Sequence, residues 1–199
     1  MISCCSSEPC GKQELLAWCS APTREPRLSN CSRVMKETGC AAVKLEGGEA
    51  MAPTIRFLSE RGIPVVGHVG LTPQAVNMLG GYGARGKGDA EAKKIAKDAY
   101  AVSDAGAFCI VVEGVMEQLA TQLAREIPTP IIGIGASAEC DGQILVTDDM
   151  LGMFERTPRF VKRYDNLAEQ IGKAAEAYAL EVRSRAFPSA DQTYRPKGS

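Results

Sequence analysis

The sequence predicts an α/β fold built on a parallel sheet, and three observations carry that expectation. From residue 34 onward, short continuous apolar runs alternate with stretches of helical periodicity. Unbroken runs of this kind are what strands buried on both faces look like. Ionisable residues stand at or near the C-terminal ends of three successive runs: Lys44 and Glu46, then His68, then Glu113. An open doubly wound sheet and a (β/α)8 barrel share the first two features. An open sheet gathers its ligands mostly at one switch point, whereas a barrel brings every strand end to one face. Three consecutive strands each delivering an ionisable group favour the barrel.

Residues 1–33 read differently from the rest. They hold five of the eight cysteines, six serines and three prolines. Apolar residues cluster only at Leu15, Leu16, Ala17 and Trp18, and Pro9, Pro22 and Pro26 interrupt any pattern. The expectation is a poorly structured leader over 1–33 and a folded domain over 34–199. A short helix at 12–19 packed on the body is the alternative.

Residues 41–46 (AAVKLE) form the first expected strand, closed by Gly47 and Gly48. A helix follows with Met51, Ile55 and Leu58 on one face, ended by Gly62. Residues 64–69 (PVVGHV) are the second strand, and 73–79 read as a short helix before a glycine loop. Asp89 is the expected cap of a helix that turns Ala92, Ile95, Ala96, Ala99 and Val102 inward. The third strand is 108–113 (FCIVVE), a helix covers 115–126, the fourth strand is 130–135 (PIIGIG), and a fifth covers 142–146 (GQILV). The last helix spans 166–185 with Leu167, Ile171, Ala174, Ala175, Tyr178 and Val182 as its stripe, and Asn166 with Glu169 resembles a capping box.

The bulk properties bound the function. The chain has 199 residues, 45% hydrophobic and 24% charged, with a net charge of −1. That suits one domain or two and supplies no basic excess for nucleic acid. No run approaches the ~18 apolar residues of a membrane span, and the first residues lack the apolar stretch of a secretory signal. The eight cysteines include no CxxC pair and the chain has one histidine, so zinc is disfavoured and reduced thiols in the cytoplasm are expected.

Lys44, Glu46, His68 and Glu113 are the candidate site. Charges on a buried sheet are costly unless paired or metal-bound. Lys44 and Glu46 are two residues apart, so both point to one side of the strand. The alternatives are a structural ion pair, a core histidine and a helix-start carboxylate, but together these would have to meet on one face by accident. The glycine loop 80–88 (GGYGARGKG) matches GxxxxGK at 81–87, yet Gly88 stands where a phosphate loop needs Ser or Thr. A mobile loop at the mouth of a site, with Arg85 and Lys87 available for an acidic ligand, fits better. Asp141, Asp148 and Asp149 read as caps and turns.

The stretches VKLEGG (43–48), GHVGLTPQ (67–74), GGY (80–82), VE (112–113), IIGIGA (131–136) and CDGQ (140–143) closely resemble the ketopantoate hydroxymethyltransferase family, in order and with its spacing, from residue 34 to residue 194. The resemblance implies a (β/α)8 TIM barrel of the phosphoenolpyruvate/pyruvate type, here a partial barrel with five of eight parallel strands. It implies hydroxymethyl transfer from 5,10-methylenetetrahydrofolate to 3-methyl-2-oxobutanoate, giving 2-dehydropantoate on the route to pantothenate and coenzyme A. It also implies Mg²⁺ and a homo-oligomer. By the likeness, Glu46 is a metal carboxylate, Lys44 meets the oxo acid, Glu113 is the acid–base glutamate and His68 lies in the shell behind the metal.

The family's Gly-Asp-Ser and Asp-x-Pro-Phe motifs, which carry its other metal carboxylates, are missing. Residues 1–33 contain no Asp. The expectation is therefore a truncated chain behind an unrelated leader, with the family reaction impaired. The alternatives are a non-catalytic remnant or another metal-dependent 2-oxo-acid lyase, and the GHVGLTPQ stretch argues against the lyase.

Overall fold

The computed structural model describes residues 16–18, 24–73 and 83–194. Along them run β1 (Leu16–Trp18), α1 (Arg24–Thr38), β2 (Ala42–Glu46), α2 (Ala52–Ser59), β3 (Val65–Gly70), α3 (Asp89–Asp104), β4 (Cys109–Glu113), α4 (Glu117–Glu126), β5 (Ile131–Ile134), β6 (Gly142–Gln143), α5 (Thr147–Met150) and α6 (Leu167–Ser184). The short helix expected at 73–79 lies almost wholly outside the described residues. The chain forms two compact units, one of residues 1–147 with 158–160, the other of 148–157 with 161–199.

In the first unit the strands pair in chain order, β1 to β6, and every pairing is parallel. A doubly wound sheet must reverse its order at a switch point. This sheet does not, and its two faces are unlike. Val43, Leu45, Val65, Val69, Ile110, Val112 and Ile131 share one buried cluster with Ile55 and Leu58 of α2, Ile95, Ala99 and Val102 of α3, and Leu123 of α4. Each such side chain taken fully out of water contributes roughly 1.5–3 kcal/mol. The alternate residues point the other way. There Val66, Val111 and Ile134 form a second, small cluster with Phe160 packed against it. Sequential parallel strands with helices on one face are the wall of a (β/α) barrel, here a partial one.

The division at residue 34 needs correction. Helix α1 runs through it, and Cys31 is fully buried in the main cluster. Residues 16–18, within the supposed leader, form a strand paired with β2 rather than a helix. Pro26 is the misleading residue. It falls in the first turn of α1, where backbone N–H groups have no partner within the helix, so it does not break the element.

Smaller differences have local causes. The fifth expected strand shrinks to Gly142–Gln143, with one further backbone bond from Ile144 to Gly133 before the chain turns away and leaves Val146 exposed. Gly88 is the residue that caps α3, and Asp89 sits inside its first turn, at the positive end of the helix dipole.

The second unit holds α6 and a short 3-10 turn, Ala190–Gln192. The apolar stripe of α6 is not inward as its periodicity predicts. No residue of the helix is buried, and Ile171, Tyr178 and Val182 are exposed. Tyr178 meets Phe187 edge-on at 5.4 Å between ring centroids. The side chain of Asn166 donates to Glu169 at 2.7 Å but does not cap the backbone. No helix among the described residues is long and apolar enough to cross a membrane.

Candidate active site

The inner face of the sheet assembles its polar groups by strand register. Glu46 of β2 pairs with His68 of β3, and Gly70, two residues on, pairs with Glu113 of β4. Two glycines make this alignment possible. A Cβ on Gly67 would lie 2.2 Å from Val102, so only glycine lets α3 press directly on the back of β3. Gly70 has φ +90°, and a Cβ there would lie 2.5 Å from the Glu113 carbonyl oxygen. The backbone is laced across the same strand ends. Gly47 N–H donates to His68 O at 3.0 Å, and Leu71 N–H to Glu113 O at 2.8 Å.

His68 lies between the two carboxylates. Its Nδ1 is 3.4 Å from Oε1 of Glu46 and its Nε2 is 3.2 Å from Oε2 of Glu113. The imidazole side chain is 0% exposed, and the Glu46 and Glu113 side chains are 5% and 13% exposed. Both contacts are within ion-pair range without the alignment of hydrogen bonds, a looseness common at sites that tighten around their ligand. Lys44 is buried on the same face, and burial lowers its pKa from the usual 10.5, partly opposed by the charges of Glu46 and Glu113. The structure thus brings all four candidates to one face, with both carboxylates at one imidazole.

Arg85 departs from expectation. Its guanidinium pairs with Glu91 at 2.6 Å, so it is engaged within the protein rather than held for an acidic ligand. Its backbone clips the segment to the end of β4, donating to Gly114 O at 2.8 Å and accepting from Met116 N–H at 3.0 Å. Asp141 is a structural cap as read, accepting from Ile131 N–H at 2.8 Å. Sequence reading missed Phe160, which packs on the inner-face cluster. A Cβ on Gly135 would fall 2.4 Å from its ring, and a lone aromatic in a loop carries no periodic signal.

Comparison with known proteins adds the decisive observation: residues 16–190 match the family model described as ketopantoate hydroxymethyltransferase. The chain belongs to the ketopantoate hydroxymethyltransferase family. The chain is 66% identical over 170 residues to 3-methyl-2-oxobutanoate hydroxymethyltransferase of Novosphingobium aromaticivorans, covering 85% of this chain and 59% of that one. The Sphingopyxis alaskensis protein of the same name is 64% identical, with 84% and 58% covered, and that of Brucella canis 56% identical, with 88% and 64% covered. The chain therefore spans about six-tenths of the length of these ketopantoate hydroxymethyltransferases. The match begins at residue 16 rather than 34, in agreement with β1 and α1 belonging to the folded body. A solved phosphoenolpyruvate phosphomutase from Streptomyces platensis subsp. rosaceus shows a weaker likeness, with a TM-score of 0.45 at 11% identity over 89% of this chain and 64% of that one.

Glu46 offers carboxylate oxygen, the donor that a hard cation such as Mg²⁺ takes from proteins, one or two at a time beside its waters. Among the described residues no group of three or more His, Cys, Asp or Glu is arranged to hold a metal. The inner face thus offers a hard cation the carboxylate oxygens of Glu46 and Glu113, without a set of three ligands placed to hold it among the described residues.

Proposed function

We propose that this chain carries the substrate half of a ketopantoate hydroxymethyltransferase site, moving a hydroxymethyl group from 5,10-methylenetetrahydrofolate to 3-methyl-2-oxobutanoate. The observation that supports this reading most is the shared face of Lys44, Glu46, His68 and Glu113 at the strand ends of a family barrel wall. Lys44 holds the anionic end of the oxo acid, where burial strengthens its attraction to a carboxylate. Glu113 takes the proton from C3, leaving the C3–H electron pair in the enolate; C3 then bonds to the methylene carbon of the folate, both carbon–nitrogen bonds of that carbon break, water supplies the hydroxyl, and tetrahydrofolate leaves. Mg²⁺, held in part by Glu46, supplies electrostatic stabilisation of the developing oxyanion when bound. His68 stands behind the metal carboxylate. We read the chain as cytoplasmic, with Cys31, Cys40, Cys109 and Cys140 outside any disulfide among the described residues, and self-association accords with the exposed apolar stripe of α6.

The test is an assay of the purified chain with Mg²⁺, methylenetetrahydrofolate and 3-methyl-2-oxobutanoate. Slow ketopantoate formation and C3 deuterium exchange, both lost in Glu113→Gln, are expected. Exchange that persists in Glu113→Gln would remove Glu113 from its role.

A further inference from the structure

We propose that His68 is a positioning residue acting on both carboxylates at once, so that the placement of Glu113 is set through the imidazole by Glu46. The inference rests on the roles just given to those carboxylates and goes beyond them by naming the link between them. Each ring nitrogen faces a different partner, Nδ1 toward Glu46 and Nε2 toward Glu113, at 3.4 and 3.2 Å. A ring flanked by a carboxylate at each nitrogen cannot turn without moving away from one of them. The strand that carries it has little room to retreat, because a Cβ at Gly67 would lie 2.2 Å from Val102 on the opposite face, and the imidazole is wholly buried. The backbones bearing the three side chains are bonded to one another through Gly47 and Leu71. A shift of Glu46 is therefore felt by Glu113 through the buried ring between them. Groups of this kind, behind a ligand rather than on substrate, typically change activity by about 10- to 100-fold when replaced.

The chain contains one histidine, so ¹⁵N-histidine labelling of the full chain reports on this ring alone. Glu46→Gln is expected to move the Nδ1 resonance and Glu113→Gln the Nε2 resonance. These substitutions leave the imidazole in place, so the result does not depend on a histidine variant folding. The second arm is C3 deuterium exchange of 3-methyl-2-oxobutanoate. His68→Gln, whose amide stands near the Nε2 position, is expected to keep more exchange than His68→Asn, whose amide stands near Nδ1. His68→Asn should lower the maximal rate about 10- to 100-fold with KM for the oxo acid little changed. Resonances that ignore both carboxylate substitutions, or a loss confined to KM, would overturn the proposal. Absence of exchange in the unmodified chain would instead count against the functional reading, and the resonances would still decide the link.

Discussion

His68 and Glu113 meet across two neighbouring strands, with Nε2 3.2 Å from a carboxylate oxygen of a residue that sits two register pairs further along. The offset matters. Side chains on directly paired residues stand side by side, whereas here the imidazole leans toward the strand ends to reach Glu113. Its other nitrogen faces Glu46, its direct register partner. One ring thereby faces both neighbouring strands on the side of the sheet opposite the main buried cluster.

Glu113→Gln is the sharpest test of the acid–base assignment. The amide keeps the size of the side chain and its place beside His68, so the fold should hold. Proton transfer by a positioned group is worth roughly 100- to 10,000-fold. C3 deuterium exchange followed by proton NMR should fall by at least about 100-fold, while the thermal midpoint changes little.

Lys44 predicts a pH dependence of stability. Its folded pKa is lowered, chiefly by burial, below the usual 10.5. Between those two values the unfolded chain holds a proton that the folded chain has released, so stability rises with pH across that window. The cost of keeping the buried lysine charged is fully present below the folded value and is relieved as pH climbs toward 10.5. Lys44→Met should remove this rise. Urea midpoints of both proteins at intervals from pH 7 to ~10.5 would show it, and parallel curves would contradict it.

The core strands were legible because buried parallel strands leave continuous apolar runs, and β2 to β5 fall within a residue or so of their expected ends. The candidate site was legible for the same reason: Lys44, Glu46, His68 and Glu113 stand out as polar breaks in those runs. Helix α1 was not, because its sequence is strongly polar and carries Pro26, and among its described side chains Cys31 is the fully buried one. Cys31→Asp tests that correction. A carboxylate forced into the main cluster would cost several kcal/mol, lowering the urea midpoint sharply, whereas a dispensable leader would tolerate it.

Gly70→Ala probes the strand end that aligns β3 with Glu113. Its φ of +90° disfavours any side chain, and the new Cβ would lie 2.5 Å from both the Glu113 carbonyl oxygen and Val115. Strain of this kind costs about 1–3 kcal/mol, and the clash adds to it. Chemical denaturation should register the loss, and exchange activity should fall further than stability alone explains, because the displaced backbone is that of Glu113, the proposed acid–base residue.

The last prediction concerns metal and rate together. Glu46 is the carboxylate proposed for Mg²⁺, and among the described residues no group of three or more His, Cys, Asp or Glu is placed to hold a metal ion. A cation held by one protein oxygen keeps most of its waters and has few constraints on its position. The oxo acid beside it is then loosely placed, and a displacement of ~1 Å can cost ~100-fold in rate. The 199-residue chain on its own should therefore bind Mg²⁺ weakly and form ketopantoate at least ~100-fold more slowly than its full-length relatives. Titration of the chain with Mn²⁺, followed by water-proton relaxation, measures the first quantity, and Glu46→Gln should abolish the signal. The hydroxymethyl-transfer assay measures the second. Tight binding that survives Glu46→Gln would show that other carboxylates of this chain hold the metal, and a rate close to that of the relatives would show that they place it correctly.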